Sequence, residues 1–186
     1  MPTRDEILGA AQRQLNAQPT ASMADLAAAA GIGRATLHRH FATREDLLHE
    51  LGTRSIDRWR DSLDGADVAG VAASGDPVRI RTCLDDLLSR YLADSDDFGF
   101  ALTDFSLTAA PDLVARSERL VAREVAFYAA AQAAGVLRAD LPPRWLAHAV
   151  YGLLVAARDA LAVGDVARRD LDTLVLSTFL TGAQQP

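Results

Sequence analysis

The sequence predicts an all-α fold of about nine helices, in which a three-helix N-terminal head precedes a larger C-terminal helical bundle. Alanine and leucine dominate the 186 residues, and no run of residues shows the two-residue alternation of a half-buried strand. Three segments also have the form of a capping box, in which a hydroxyl and an acid three residues later close the start of a helix. These segments are Thr3-x-x-Glu6, Ser22-x-x-Asp25 and Thr43-x-x-Asp46.

The first 64 residues are predicted to form four helices, each with apolar residues at helical spacing. In the first helix, Ile7, Leu8, Ala11 and Leu15 share one face. Between the second and third helices, Gly31-Ile32-Gly33 predicts a tight turn, because glycine adopts the left-handed conformation that ends a helix. The four predicted helices span residues 4–15, 23–30, 34–41 and 43–63.

Five further helices are predicted after residue 75. Three begin near Pro77, Pro111 and Pro142, since proline suits the first turn of a helix. They span residues 77–93, 98–108, 111–135, 142–162 and 166–181, whereas residues 64–75, rich in glycine, alanine and serine, are predicted to be a loop. We expect residues 1–46 to form the head and 47–186 the body, with the fourth helix linking the two.

The chain carries a formal net charge of −6, yet one short stretch contains no acidic residue. From Gly33 through Arg44 the chain has three arginines and two histidines. The helices on either side of the glycine turn have the arrangement of a helix-turn-helix, whose second helix enters the major groove of DNA. Leu37 and Phe41, four residues apart, would bury one face of that second helix and leave its basic side chains exposed. Arginine can bond guanine edges with two hydrogen bonds, or a phosphate through its charge.

At these residues the sequence resembles the TetR family of transcriptional regulators. The resemblance implies a homodimeric, ligand-responsive repressor that releases a palindromic operator in double-stranded DNA when a small molecule binds the C-terminal body. The connection over residues 16–21 is shorter than usual in the family and lacks its glycine-aromatic pair. The matching residues are Asp25-Leu26-Ala27, Ala30-Gly31-Ile32-Gly33-Arg34-Ala35-Thr36-Leu37-His38-Arg39-His40-Phe41 and Thr43-Arg44-Glu45-Asp46-Leu47-Leu48.

The resemblance also implies which residues contact DNA. Arg34, Thr36 and Arg39 would reach bases or the backbone, whereas His40 and Arg44 occupy positions that commonly hold phosphates. The alternative for each arginine is a solvated helix face. The full set of candidate DNA-binding residues is Ser22, Arg34, Thr36, His38, Arg39, His40 and Arg44, with His38 in place of the family's usual tyrosine.

The predicted body contains a group of aromatic residues that could line the pocket for an unidentified small-molecule effector. For each of them the alternative is a place in the hydrophobic core. The candidate pocket residues are Trp59, Tyr91, Phe98, Phe105 and Tyr128.

The helix predicted over 142–162 is apolar around most of its circumference, so it needs two burial partners. We expect it and the last helix to pair with their symmetry mates in a four-helix dimer interface, as the resemblance also implies. The alternative is that both helices are central in a monomeric bundle. The candidate interface residues are Trp145, Ala149, Leu153, Leu174 and Thr178.

Several other classes of protein are disfavoured. The single cysteine, Cys83, rules out an intramolecular disulfide framework. The polar N-terminus does not resemble a secretory signal, and the apolar stretch over 145–157 is expected to be too short for a bilayer; we therefore expect a cytoplasmic protein without a membrane partner.

An enzyme is also disfavoured, and no cofactor or metal is expected. His49-Glu50 lacks the second histidine of a zinc-protease helix. His38 and His40 are two residues apart and point to different sides of a helix. The remaining alternatives are an interaction or ligand-binding protein whose head no longer acts on DNA, and a transcriptional activator.

Overall fold

The structure, a computed structural model, describes residues 1–104, 107 and 109–183 of the chain. The prediction of an all-α fold is confirmed over these residues, which form nine α-helices and two short 3-10 turns at Gly99–Leu102 and Arg168–Asp170. The helices are α1 (Arg4–Ala17), α2 (Met23–Ala29), α3 (Arg34–His40), α4 (Arg44–Gly65), α5 (Val68–Ser74), α6 (Pro77–Phe98), α7 (Pro111–Ala133), α8 (Pro143–Val163) and α9 (Leu171–Ala183).

All three predicted capping boxes form. The backbone N–H of Asp25 donates to the Ser22 hydroxyl over 3.3 Å, and the N–H of Ser22 donates back to the Asp25 carboxylate over 2.8 Å. Thr3 with Glu6 and Thr43 with Asp46 repeat this reciprocal pattern. Each box satisfies backbone donors that the first turn of a helix leaves without a partner, so α1, α2 and α4 begin where the sequence predicts.

The predicted loop over 64–75 is wrong, because this segment contains α5. Asp67 adopts a left-handed conformation, with φ of 49°, and its side chain accepts a hydrogen bond from the N–H of Gly70. Val68 and Val71, three residues apart, are buried. Burial of this short apolar face outweighs the weak helix preference of a glycine-containing segment.

The predicted helix over 98–108 is also wrong in its first part. Helix α6 runs on to Phe98 and is followed by the 3-10 turn Gly99–Leu102. Asn16 ends α6 here: its side-chain amide donates to the carbonyls of Asp96 and Asp97 and accepts from the N–H of Phe100. A side chain distant in sequence thus satisfies carbonyls that a helix end leaves free.

The chain forms two compact units. Met1–Asp57 together with Asp96–Ala115 form one, called here the head unit, and Arg58–Ser95 together with Arg116–Pro186 form the other, called the body unit. The compact head unit therefore includes residues beyond 46. The division into functional domains at residue 46 stays a prediction.

Each unit has its own apolar core. In the head unit the buried cluster includes Ile7, Leu8, Leu26, Leu37, Phe41 and Leu47. In the body unit the buried side chains include Leu84, Leu88, Phe127, Tyr128, Val150 and Phe179. Cys83, also in the body unit, is buried and donates to the carbonyl of Ala66. Burial raises the pKa of its thiol to about 11, so it stays a protonated core residue.

Candidate DNA-binding surface and buried polar cluster

The turn between α2 and α3 depends on glycine at one position. Gly31 has a φ of +66°, a conformation that side chains with a Cβ rarely adopt. The N–H groups of Gly31 and Ile32 donate back to the carbonyls of Ala28 and Ala27, which closes the end of α2. The chain then leaves in an extended conformation at Gly33 and starts α3 at Arg34. The predicted helix-turn-helix geometry is therefore present.

Helix α3 has one buried and one exposed side. Leu37 is fully buried, and Phe41, directly after the helix, is nearly so. Arg34, His38 and Arg39 are exposed, whereas Thr36 and His40 are half-buried. The predicted division of this helix is confirmed, and a row of cationic and hydrogen-bonding groups faces solvent.

The exposed side chains of α3 are held by one another. Arg39 donates to the Thr36 hydroxyl over 3.2 Å, and Arg34 donates to Nε2 of His38 over 3.4 Å. Nδ1 of His38 lies 3.2 Å from the carbonyl oxygen of Ala42. These contacts are weak and local, so the guanidinium groups can exchange them for DNA at little cost.

Arg4, from α1, holds the end of α3 in place. Its guanidinium donates to the carbonyl of His40 over 2.7 Å and lies 4.2 Å from the centre of the Phe41 ring. It also forms an ion pair with Glu50 of α4. One side chain thereby ties together α1, α3 and α4. Sequence analysis missed this role, because the partners of Arg4 are more than thirty residues away in the chain.

Arg44 has a structural partner that the sequence does not predict. Its guanidinium donates to the carbonyls of Ala21 and Pro19, over 3.1 and 2.8 Å, in the connection between α1 and α2. The short connection is thus held by Arg44 at one end and by the Asn16 bonds at the other. Ser22, the cap of α2, is exposed beside it.

The body unit contains a polar cluster among aromatic rings. The indole N–H of Trp59, on α4, lies 3.0 Å from both the Tyr91 hydroxyl and Oε1 of Glu124. The Tyr91 hydroxyl, on α6, also donates to Oε1 of Glu124, on α7. Glu124 is only 5% exposed. Three helices therefore place a carboxyl group and two neutral donors together inside the unit.

Burial dominates the ionisation of this cluster. It raises the pKa of Glu124 to about 7, although the hydrogen bonds from Tyr91 and Trp59 act in the opposite direction. Burial also raises the pKa values of Tyr91 and Tyr128 well above 10, so both phenols stay neutral. In the described part of the chain, no cation is among the groups that shift the pKa of Glu124. The carboxyl group is therefore hydrogen-bonded, but no cationic side chain among the described residues forms an ion pair with it.

Tyr128 lies one turn after Glu124 on α7. It is fully buried, and among the described residues its hydroxyl has no hydrogen-bond partner. Its ring is in contact range of Phe127 and Phe179, with centroids 5.9 and 6.3 Å away. A buried hydroxyl without a partner is costly in a folded protein, so such a group in a native structure needs an explanation.

The structure divides the predicted pocket residues. Trp59 and Tyr91 belong to the polar cluster, and Tyr128 lies next to it. Phe98 instead packs against the core of the head unit, which corrects its assignment to the body, and Phe105 lies outside the described residues. Sequence analysis missed Glu124. The sequence does contain a signal for this residue, because Glu124 lies on the apolar face of α7. The buried residues on that face recur at helical spacing: Leu113, Leu120, Glu124, Phe127 and Ala131.

A second apolar face of α8 is open to solvent. Leu146, Val150 and Leu154 are buried within the unit. On another side Trp145 is 58% exposed, and Ala149 and Leu153 are half-buried. On α9, which packs against α8, Leu174 and Thr178 are exposed. Exposed apolar side chains grouped in this way are common at surfaces where proteins associate.

By length and composition alone, helix α8 is long and apolar enough to cross a membrane. Within the unit, 28% of its most apolar 18-residue stretch is buried. The expectation that this stretch is too short to span a bilayer is therefore wrong. The prediction considered only residues 145–157, whereas the helix has 21 residues. Core helices with one uncovered apolar face meet the same criteria.

Over the described part of the chain, no group of three or more histidine, cysteine, aspartate or glutamate side chains is arranged to hold a metal ion. His49 of the incomplete zinc-protease motif pairs with Asp112 in the head unit, with 2.8 Å between Nε2 and Oδ2. The ring of His38 contacts neighbours on its own segment, Arg34 and Ala42.

Comparison with known proteins agrees with this geometry. Residues 7–51, from α1 into α4, match the family described as bacterial regulatory proteins, tetR family. The chain is 31% identical over 179 residues to the HTH-type transcriptional repressor LfrR of Mycolicibacterium smegmatis, covering 94% of this chain and 87% of that protein.

Solved structures agree over the whole chain. The structure of LfrR in complex with proflavine superposes with a TM-score of 0.76 at 27% identity, over 96% of this chain and 94% of that one. The ketosteroid transcriptional regulator KstR2 of Mycobacterium tuberculosis has the same fold, with a TM-score of 0.72 at 18% identity over 100% of this chain and 97% of that one. With the match to LfrR extending over nearly the full length, the chain belongs to the TetR family of bacterial transcriptional regulators.

Proposed function

We propose that this protein is a homodimeric, cytoplasmic repressor that binds a palindromic operator through α3 and releases it when a small molecule binds the body unit. Arg34, Thr36 and Arg39 contact bases or backbone, and His38, His40, Arg44 and Ser22 contact the phosphates around them. The observation that carries the proposal is the two-sided character of α3, whose apolar side is buried while its arginines face solvent.

The local charge of this surface supports DNA binding despite the acidic chain. Residues 33–44 contain no acid, and at physiological salt a charge is screened beyond about 8 Å. The basic stretch therefore acts on phosphates that touch it, while the acidic remainder of the chain contributes little at that distance. The acidic surface would also reduce non-specific binding to DNA.

The exposed stripe of α8 and α9 supports the dimer. Trp145, Ala149 and Leu153 from α8, with Leu174 and Thr178 from α9, would meet the same residues of a second copy. A two-fold dimer uses the same patch on both subunits. Two copies of α3 related by such an axis would read two half-sites, which is why the expected operator is palindromic.

The operator can be found by selecting random DNA fragments with the purified protein and sequencing those retained. We expect an inverted repeat. Arg34→Ala and Arg39→Ala should each weaken binding to it by about 1–3 kcal/mol, the usual contribution of an arginine paired to a base. Arg79→Ala removes the same charge from an exposed position of the body unit and serves as the control. Unchanged affinity of both α3 variants would contradict the assignment of α3.

The response to a small molecule can be tested with proflavine, the compound bound in the LfrR structure. Addition of proflavine should release the protein from the selected operator. The competing intercalation of the dye into DNA is controlled by repeating the titration with an unrelated helix-turn-helix protein on its own site. Release of both proteins alike would mean that the dye acts on the DNA.

The dimer can be tested by sedimentation. Leu153→Asp should give monomers, because two buried carboxylates would face each other across the axis. Val78→Asp introduces the same charge at a body-unit side chain that is 73% exposed and should leave the dimer intact. A Leu153→Asp protein that remains a stable dimer would show that the interface lies elsewhere.

A further inference from the structure

Glu124 is a buried acid whose charge no described residue balances. Glu124 lies on α7, with its side chain in the interior of the body unit. Trp59 and Tyr91 both donate hydrogen bonds to the same carboxylate oxygen, Oε1. These donors are neutral, so they stabilise the carboxylate without cancelling its charge. A buried carboxylate without a cation beside it is costly, so its pKa rises and it tends to take up a proton. A cation bound beside Glu124 would remove this cost by stabilising the ionised form.

The surroundings of Glu124 favour one kind of partner. Trp59 and Tyr91 bring aromatic rings to the carboxyl group through their hydrogen bonds to it, and Tyr128 follows one turn later on the same helix. The faces of such rings carry partial negative charge and attract cations, indole most strongly. A carboxylate hydrogen-bonded to two aromatic side chains is electrostatically complementary to an aromatic cation and opposed to an anion.

Tyr128 is a second, independent observation at this place. Its hydroxyl is fully buried and has no hydrogen-bond partner among the described residues. Tyr128 follows Glu124 by four residues on α7, so the two side chains lie on the same face of the helix. A hydroxyl in this state offers one donor and one acceptor to a bound molecule.

We infer that the effector of this protein is a planar aromatic cation, held by an ion pair with Glu124, by stacking on Trp59 and Tyr91, and by a hydrogen bond with the Tyr128 hydroxyl. This inference rests on the proposed function only in treating the bound molecule as the effector. The binding site itself is argued from residues of the body unit. The charge of Glu124 selects the ligand, and the aromatic rings supply most of the contact area.

The test uses two probes of similar shape and different charge, N-methylacridinium, a permanent cation, and N-methylacridone, which is neutral. Their binding to the full-length protein is measured by calorimetry at pH 8, where Glu124 is mostly ionised. We expect the cation to bind the unaltered protein at least tenfold more tightly than the neutral probe. Equal affinities, or no measurable binding of the cation at millimolar concentration, would overturn the inference.

Glu124→Gln keeps the shape of the side chain and removes its charge. It should weaken the cation at least tenfold and change the neutral probe less than twofold. Glu118→Gln is the matched control, because it removes the same charge from an exposed position of α7 that pairs with Arg144, and it should change neither affinity. Circular dichroism and the thermal midpoint of each variant confirm that it is folded. If Glu124→Gln is not folded, Tyr128→Phe replaces it and should weaken the cation about three- to tenfold.

Operator affinity measured on the same samples separates the two proposals. Cation binding that depends on Glu124 but leaves operator affinity unchanged would support the site and contradict the ligand-responsive repressor. Operator release by a neutral compound, with no preference for cations, would support the repressor and contradict the charge selection at Glu124.

Discussion

The head unit and the body unit place their charged groups in opposite ways. In the head unit Arg34 and Arg39 are exposed and make weak contacts within α3. In the body unit Glu124 is buried and holds two neutral donors. DNA is a large polyanion that reaches a charge at the surface, whereas a small molecule must be enclosed to be bound tightly. The location of a charge thus indicates the size of the partner it is suited to.

The two units also differ in how their polar groups affect stability. The side-chain bonds of Arg4, Asn16 and Arg44 in the head unit connect to backbone groups of other elements, and Arg4 also pairs with the half-buried Glu50. In the body unit the Glu124 carboxyl and the Tyr128 hydroxyl are buried at a cost. We therefore expect substitutions of polar residues to destabilise the head unit, and some to stabilise the body unit.

The largest expected effect is on the core that supports α3. Phe41→Ala should lower the free energy of unfolding by about 3–5 kcal/mol, because it leaves a cavity and removes the ring beneath Arg4. The measurement is urea denaturation followed by circular dichroism. Val78→Ala, at a side chain that is 73% exposed, should change it by less than about 0.5 kcal/mol. A loss below about 1 kcal/mol for Phe41→Ala would show that the ring does not support α3.

The next effect is a dependence of stability on pH. In the unfolded chain Glu124 titrates near 4.5, and in the folded protein burial raises its pKa to about 7. Between these values the folded protein binds the proton more tightly, so raising the pH lowers the free energy of unfolding. The full loss is about 3 kcal/mol and is complete above pH 7.

The control for this prediction is Glu124→Gln, which has no proton to lose at this position. The difference in stability between it and the unaltered protein should change steadily between pH 4.5 and 7. A flat difference across this range would mean that Glu124 titrates normally and that its surroundings are wetter than the structure shows.

A smaller effect is expected where α1 meets the end of α6. Asn16→Ala removes the bonds to the carbonyls of Asp96 and Asp97 and to the N–H of Phe100. The free energy of unfolding should fall by about 1–3 kcal/mol, since the polar backbone groups lose their partner. Faster hydrogen exchange over residues 96–102 would locate the effect. Gln18→Ala, at an exposed position after α1, is the control, and equal losses in both variants would argue against a specific role of Asn16.

The smallest effect has the opposite sign. Tyr128→Phe should raise the free energy of unfolding by about 1 kcal/mol, because it removes a buried hydroxyl that has no partner among the residues the structure describes. Tyr91→Phe should lower it, since that hydroxyl is bonded to Glu124 and Trp59. Thermal unfolding without added ligand compares the two variants. If both lower the midpoint alike, the Tyr128 hydroxyl has a partner in solution.

The head unit could largely be predicted from the sequence, because its signals are local. A capping box needs residues three apart, the turn needs Gly31, and the spacing of Leu37 and Phe41 decides which side of α3 is buried. Helix α5 and the end of α6 were predicted wrongly, because one depends on the burial of Val68 and Val71 and the other on Asn16, eighty residues away. The assignment of Phe98 to the body is wrong for the same reason, because its neighbours are residues of the head-unit core that lie far from it in sequence.

By itself, the sequence determined the helical class, the helix-turn-helix and the basic exposed side of α3, since these follow from residues within one or two turns of one another. Only the tertiary structure decided that Glu124 is buried with Trp59 and Tyr91 on three different helices. It also decided that the Tyr128 hydroxyl has no partner among the described residues, and that Arg4 and Arg44 connect elements of the head unit. Burial and charge compensation are properties of what surrounds a side chain, and those surroundings come from segments that the chain brings together only when it folds.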